Sequence, residues 1–272
     1  MPSSRSGGPL PFLDHLAADS ARFRTVLATA PADARVPTCP DWDADDLLWH
    51  LGEVQWFWGE IAERRLIDPA DLDAMNASRE ERPGDRGGLL AFFDRSSERL
   101  QRVLGELAPE TPLWMWYYED QTAGYIRRRQ AHEAMVHRVD AEVTVGERTP
   151  LDCRLAADGI DEALRIMRGH EPEPDLTHVP VSAPVTIATV DAMHAWTVTP
   201  VRITGTWNGD EIDVQRFLVS DGPDDAAAAE ISGSAADIDC WLWNRPVEGE
   251  ITRDGDAAAL AAVDAVLTDS ID

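Results

Sequence analysis

Apolar residues recur at helical spacing through the first half of the chain. Between about residues 11 and 30, Leu16, Phe23 and Leu27 fall on one stripe, which predicts an amphipathic helix. The same spacing predicts four more helices, at about 43–65, 88–107, 122–143 and 154–168. Short connections between amphipathic helices indicate an antiparallel bundle.

The pattern changes after about residue 170. The stretch 170–181 holds three prolines and few apolar residues, which is typical of a linker. Beyond it, alternating or β-branched runs predict strands at 184–190, 196–207 and 211–219, with a hairpin turn at Asn208-Gly209-Asp210. Two closing helices are predicted, at about 235–243 and 256–267. The sequence therefore predicts an α+β protein of two domains, a helical bundle over residues 1–172 and a small α+β domain over residues 183–272.

The amino-acid composition disfavours several classes of function and partner. The 50 acidic residues outnumber the 24 basic ones and give a net charge of −26, which disfavours nucleic acid as a partner. No run of about eighteen apolar residues predicts a membrane span, and the N-terminus lacks the apolar core of a signal peptide. Cys39, Cys153 and Cys240 are too scattered for a disulfide framework or a thiolate zinc site. We expect a cytoplasmic monomer or homodimer that acts on a small-molecule substrate, without a membrane or nucleic-acid partner.

The basic residues of the chain exclude several kinds of catalysis. The chain contains no lysine, so all 24 basic residues are arginine. This rules out Schiff-base catalysis, pyridoxal phosphate of the usual kind and a phosphate-loop lysine. The reaction must therefore depend on histidine, carboxylate, arginine, hydroxyl groups or a metal. An all-arginine complement is also typical of a high-GC coding sequence, as in actinobacteria.

The segment RRRQAHEAMVHRVDAE (127–142) carries candidate metal ligands. His132 and His137 are separated by about 140° around a helix, so their imidazoles cannot share one ion. Glu133 and His137 are separated by only about 40° and face the same side. They are the predicted ligand pair. The alternative is a solvated helix face on which Arg129 pairs with Glu133.

A third ligand must come from elsewhere, and His50 is the candidate. Apolar residues on the same face of its helix place His50 on the buried stripe. A buried imidazole without a partner costs about 1–3 kcal/mol, which a metal would offset. The alternative is a core histidine that bonds to a backbone carbonyl.

Two histidines and one carboxylate are the ligand set of an open catalytic site. Zn²⁺ is the preferred ion, with Ni²⁺ or Fe²⁺ as alternatives. Asp140 lies near the same helix face, where it could orient a ligand imidazole, or pair with an arginine instead.

Three segments resemble the mycothiol-dependent maleylpyruvate isomerase family. VPTCPDWDADDLLWHLGEV resembles the turn and helix that carry that family's first metal-binding histidine, and RRRQAHEAMVHRVDAE resembles its Glu-x-x-x-His block. ISGSAADIDCWLWNR resembles its C-terminal domain, which is similar to sterol-carrier proteins. The resemblance implies a DinB-like four-helix bundle with His50, Glu133 and His137 as metal ligands. It also implies that Arg245, in WLWNR, is a catalytic residue that pairs with a substrate carboxylate; the alternative is an arginine that caps helix-end carbonyls.

The resemblance also implies the cofactors, a divalent metal and mycothiol. The implied reaction is addition of the mycothiol thiolate to maleylpyruvate, bond rotation and elimination to fumarylpyruvate; thiol transfer to another electrophile is the related alternative. Two other classes stay open, a non-catalytic regulatory protein that binds a metal or ligand, and a metal-dependent hydrolase. For the aromatic segment Trp114–Tyr118, both pocket lining and loop anchoring stay open.

Overall fold

The computed structural model describes residues 9–171, 173, 175–207 and 209–268. Their packing divides the chain into an N-terminal unit that ends at Thr149 and a C-terminal unit that begins at Pro150. The helices of the N-terminal unit are α1 (Phe12–Thr29), α2 (Ala44–Arg64), the short α3 (Leu72–Asn76), α4 (Arg86–Glu106) and α5 (Ala123–Val145).

The two helices that carry the predicted ligands have well-defined ends. The Asp43 carboxylate accepts from the backbone N–H groups of Asp45 and Asp46 at the start of α2, and the Asp46 carboxylate accepts in return from the Asp43 N–H. The Thr122 hydroxyl caps the start of α5, which ends at Gly146 with φ of 72°, in the left-handed region that glycine tolerates. These capping groups define the start of α2 and both ends of α5, the helices that carry the predicted ligands.

The core of the N-terminal unit is built by the four long helices. Helix α1 packs against α5, and α2 packs against α4. One buried cluster draws on all four helices and comprises Phe23, Val26, Leu27, Val36, Ala44, Leu47, Leu48, Leu51, Leu89, Phe93 and Ala141. Because the apolar stripes face this shared interior, the predicted bundle forms from the elements that the periodicity indicated.

The C-terminal unit combines helices with one mixed sheet. Helix α6 (Cys153–Glu162) continues into a π-helical turn (Ala163–Met167). The strands are β1 (Leu176–Pro180), β2 (Val185–Thr189), β3 (Ala195–Trp207), β4 (Asp210–Asp221), β5 (Ala229–Gly233) and β6 (Thr252–Gly255). The unit also contains α7 (Ala235–Leu242) and α8 (Ala257–Leu267).

Strand β3 organises the sheet. It pairs antiparallel with β4 along one edge and with β1 and β2 in turn along the other. Strand β2 then pairs parallel with β5, and β5 pairs antiparallel with β6. The α+β architecture predicted from the sequence is therefore confirmed, with eight helices and six strands among the described residues.

The division between the units differs from the predicted boundary at residue 172. Helix α6 belongs to the C-terminal unit because it packs against α7. At the contact, a Cβ added to Gly159 would lie 2.8 Å from Oδ1 of Asp239, so a larger residue would have to displace that carboxylate. An amphipathic pattern shows that α6 has a buried face, but it does not show which partner covers that face.

The structure refines two further predictions, the linker and the hairpin turn. Strand β1 occupies part of the stretch predicted to be a linker, of which residues 172 and 174 lie outside the described residues. Asn208 of the predicted hairpin turn also lies outside them, although β3 and β4 pair on either side, with Trp207 opposite Asp210. Within the described ranges, no helix has both the length and the apolar character needed to cross a bilayer.

Candidate metal centre

Three side chains from two helices converge in the N-terminal unit. Helix α2 contributes His50, and α5 contributes Glu133 and His137. One ligand atom from each lies within 4.8 Å of the others. The Nε2 atom of His137 is 3.2 Å from Oε1 of Glu133, and Nε2 of His50 is 3.9 Å from the same oxygen. Both imidazoles therefore direct the same type of nitrogen toward one carboxylate oxygen.

The donors of this cluster fit a divalent metal ion. Two ligand atoms bound at about 2.0–2.1 Å to one tetrahedral ion lie roughly 3.4 Å apart, close to the spacing of this cluster. Two imidazole nitrogens and one carboxylate oxygen suit Zn²⁺, and also Ni²⁺ or Fe²⁺. The side chain of His50 is 34% exposed, against 9% for His137, so the cluster is more accessible to solvent at His50.

Aromatic packing holds His50 in place. The ring of Trp42 lies 4.6 Å from the ring of His50, centroid to centroid. Trp42 belongs to the turn before α2, where its backbone N–H donates to the carbonyl of Cys39 at 2.9 Å. The His50 and His137 rings in turn meet edge to face at 4.8 Å. Hydrophobic periodicity could not indicate the role of Trp42, because this residue precedes the helix.

Polar partners surround the two α5 side chains. Nδ1 of His137 is 2.9 Å from Oδ2 of Asp140, whose side chain is fully buried. The guanidinium of Arg129, which lies one turn before Glu133, donates to Oε2 of that carboxylate. The Arg129–Glu133 ion pair of the alternative is thus present beside the cluster, but this helix face is largely buried rather than solvated.

These partners shift the protonation equilibria of the cluster. Burial alone would disfavour the charged carboxylate of Glu133, but the positive charge of Arg129 and the bond to His137 outweigh it and hold the pKa of Glu133 well below its ordinary value. Burial likewise opposes a charged His137, yet hydrogen bonds to Asp140 and Glu133 raise the pKa of this imidazole to about 9. These shifts favour an ionised Glu133 beside a protonated His137 at neutral pH, so a metal that binds the imidazole must displace its proton.

Comparison with known proteins bears on this cluster directly. The family described as the mycothiol maleylpyruvate isomerase N-terminal domain matches residues 13–142, a range that includes all three residues of the cluster. Residues 13–142 are therefore similar to the N-terminal domain of the mycothiol-dependent maleylpyruvate isomerase family, as the first two sequence segments suggested.

Two solved structures share the fold of this chain. One is a mycothiol-dependent maleylpyruvate isomerase and the other is a mutant of such an isomerase. The former is 12% identical and the latter 11%, each with a TM-score of 0.59 over 91% of this chain and 95% of its own. At these identities the likeness establishes the fold alone. No curated protein sequence matches the chain significantly.

His132 lies apart from the cluster. Its side chain is fully buried, and its ring meets the ring of Phe12 on α1 edge to face at 6.1 Å. The angular argument, which separated His132 from His137 around the helix, agrees with this placement.

Arg245 lies in the C-terminal unit, just past the end of α7. Its guanidinium donates to the carbonyl of Trp243 at 2.7 Å, and its backbone N–H donates to the carbonyl of Cys240 at 2.7 Å. These are contacts of the carbonyl-capping kind named as the alternative for this residue.

The aromatic segment Trp114–Tyr118 packs onto the bundle helices. Trp114 stacks on Trp58 of α2, with 5.9 Å between ring centroids, and Tyr117 lies 5.1 Å from Tyr125 of α5. Tyr118, by contrast, is 75% exposed. The packing of Trp114 and Tyr117 supports loop anchoring within the N-terminal unit.

Proposed function

We propose that this chain is a metal-dependent, mycothiol-dependent enzyme that isomerises maleylpyruvate to fumarylpyruvate. The observation that carries the proposal is the convergence of His50, Glu133 and His137 within the matched family domain. Three protein donors, rather than the four of a structural zinc site, leave room for a further ligand. The proposed ion is Zn²⁺, with Ni²⁺ or Fe²⁺ as alternatives.

The two cofactors would supply complementary chemistry. A bound divalent ion lowers the pKa of a coordinated thiol, so that the thiolate is available at neutral pH. Mycothiol would supply the sulfur nucleophile for the cis–trans isomerisation.

The chain's own residues would bind and orient. His50, Glu133 and His137 hold the ion, and Trp42 limits the rotation of the His50 ring. We retain for Arg245 the role of pairing with a substrate carboxylate, because a guanidinium matches the planar geometry of that group.

A direct assay tests the proposal. Purified, metal-loaded protein is mixed with maleylpyruvate, with and without mycothiol, and fumarylpyruvate is measured by chromatography. We expect turnover only with mycothiol, and its loss in Glu133→Gln, which keeps the shape of the side chain but removes its charge. A product that retains the thiol would instead identify an S-transferase. Metal-loaded protein without thiol-dependent turnover of either kind would contradict the proposal and favour a hydrolase or a regulatory protein.

A further inference from the structure

Both α5 ligands have a second polar atom, and each of these atoms is already bonded. Oε2 of Glu133 accepts from the guanidinium of Arg129, and Nδ1 of His137 bonds to Oδ2 of Asp140. Arg129 is 8% exposed and Asp140 is fully buried. The atoms that remain, Oε1 of Glu133 and Nε2 of His137, are 3.2 Å apart.

Arg129 determines which oxygen of Glu133 is available. An unrestrained carboxylate can coordinate an ion through one oxygen or through both. Here the Arg129 guanidinium occupies Oε2, whereas Nε2 of His50 and Nε2 of His137 both face Oε1, at 3.9 and 3.2 Å. Glu133 can therefore offer one oxygen to an ion without giving up its ion pair.

Asp140 determines which nitrogen of His137 is available. A carboxylate accepts hydrogen bonds, so the 2.9 Å contact places a proton on Nδ1 of His137. In neutral imidazole the other nitrogen, Nε2, then carries the free lone pair. That lone pair lies on the side of the ring that faces Oε1 of Glu133.

We propose that Arg129 and Asp140 are positioning residues that restrict Glu133 and His137 to one donor atom each. With Nε2 of His50, the protein then supplies three donors and leaves the remaining coordination positions to thiol and substrate. This inference rests on the proposed function, because it presumes a metal at the cluster. It goes further by assigning separate tasks to two residues that do not themselves bind the metal.

The Asp140 assignment is tested by metal affinity. Zn²⁺ dissociation constants are measured by chelator competition for wild type, Asp140→Asn and the control Asp19→Asn. Asp19 is a suitable control because it is a buried aspartate of the same unit that pairs with Arg138 rather than with a ligand. We expect about 10- to 100-fold weaker binding for Asp140→Asn, as for other groups that orient metal ligands, and no change for the control. Wild-type affinity in Asp140→Asn would overturn the assignment.

Arg129 is tested by the spectrum of the Co²⁺-substituted protein. In Arg129→Met both oxygens of Glu133 become available, so we expect a higher coordination number and weaker visible d–d absorption than in wild type. The control is Arg127→Met, because Arg127 is also on α5 but bonds to the carbonyls of Leu104 and Leu107. A spectrum of Arg129→Met identical to that of wild type would overturn the role of Arg129.

One measurement needs no variant and remains informative if a substitution prevents folding. Long-range ¹H–¹⁵N spectra of the Zn²⁺-loaded wild type should show a proton on Nδ1 of His137, and a proton on Nε2 would overturn the inference. Failure of wild type to bind any divalent ion would refute the proposed function itself. Metal binding with wild-type behaviour in both positioning variants would refute the inference alone.

Discussion

Replacing Gln130 with methionine should stabilise the protein. Gln130 lies on α5, one turn before Glu133 and two turns before His137, and is 1% exposed. Neither its amide oxygen nor its amide nitrogen has a hydrogen-bond partner among the described residues. An amide buried in this way loses its bonds to water and gains none in return.

The magnitude follows from that loss. A buried polar group left without a partner costs about 1–3 kcal/mol. Methionine has nearly the same length and volume as glutamine and lacks its polar atoms, so Gln130→Met removes the cost without opening a cavity. We expect the free energy of unfolding to rise by about 1–3 kcal/mol, with the melting temperature rising by roughly 2–4 °C for each kcal/mol.

The assay is urea and thermal unfolding, followed by circular dichroism and tryptophan fluorescence. Gln55→Met is the comparison, because Gln55 is equally buried but its amide nitrogen donates to the Ser20 hydroxyl at 2.8 Å, and only its amide oxygen lacks a partner among the described residues. The lost bond, about 0.5–1.5 kcal/mol, offsets the gain from removing that oxygen, so Gln55→Met should stabilise the protein less than Gln130→Met does. Destabilisation of Gln130→Met by more than about 1 kcal/mol would refute the reasoning and show that the amide is paired, for example by a buried water.

Two further predictions concern the same helix. Burial opposes the ionised form of Glu142, but bonds from Thr149 and Arg22 outweigh it and lower its pKa. The ionised Glu142 therefore stabilises the fold above the unfolded pKa of about 4.3, and this stabilisation is lost as pH falls through the folded pKa. Glu142→Gln should cost about 1.5–3 kcal/mol at pH 7, and urea titrations should show this cost shrinking below about pH 4. A cost independent of pH would contradict this. For His132→Gln we expect lower stability but wild-type metal content by elemental analysis, because the ring packs on Phe12 outside the cluster; loss of metal from the folded variant would show otherwise.

Much of the candidate metal site could be predicted from the sequence because helical geometry is regular. Residues four apart share a face, so Glu133 and His137 were paired. The apolar stripe of α2 placed His50 on the buried face of its helix, although its side chain is 34% exposed in the structure. The structure brings these three residues together. The contact of Trp42 with His50 was beyond such reasoning, because it depends on how a turn folds back over the helix that follows.

The C-terminal unit was harder to predict, for physical reasons. Strand β6 is exposed along its whole length, so no alternation of apolar residues marks it. The parallel pairing of β2 with β5 joins strands that are distant in sequence, and no turn signal between them reveals it. Likewise, α6 has the same amphipathic character as a bundle helix, and only its packing against α7 assigns it to this unit.

Metal analysis tests the central claim most directly. Protein purified without chelators is analysed by inductively coupled plasma mass spectrometry as wild type, His50→Ala and His132→Gln. We predict one divalent ion per chain, zinc by preference, in wild type and in His132→Gln, and none retained by folded His50→Ala. Wild-type protein that stays free of metal after dialysis against Zn²⁺, or that binds it equally well without His50, would contradict a metal centre formed by His50, Glu133 and His137.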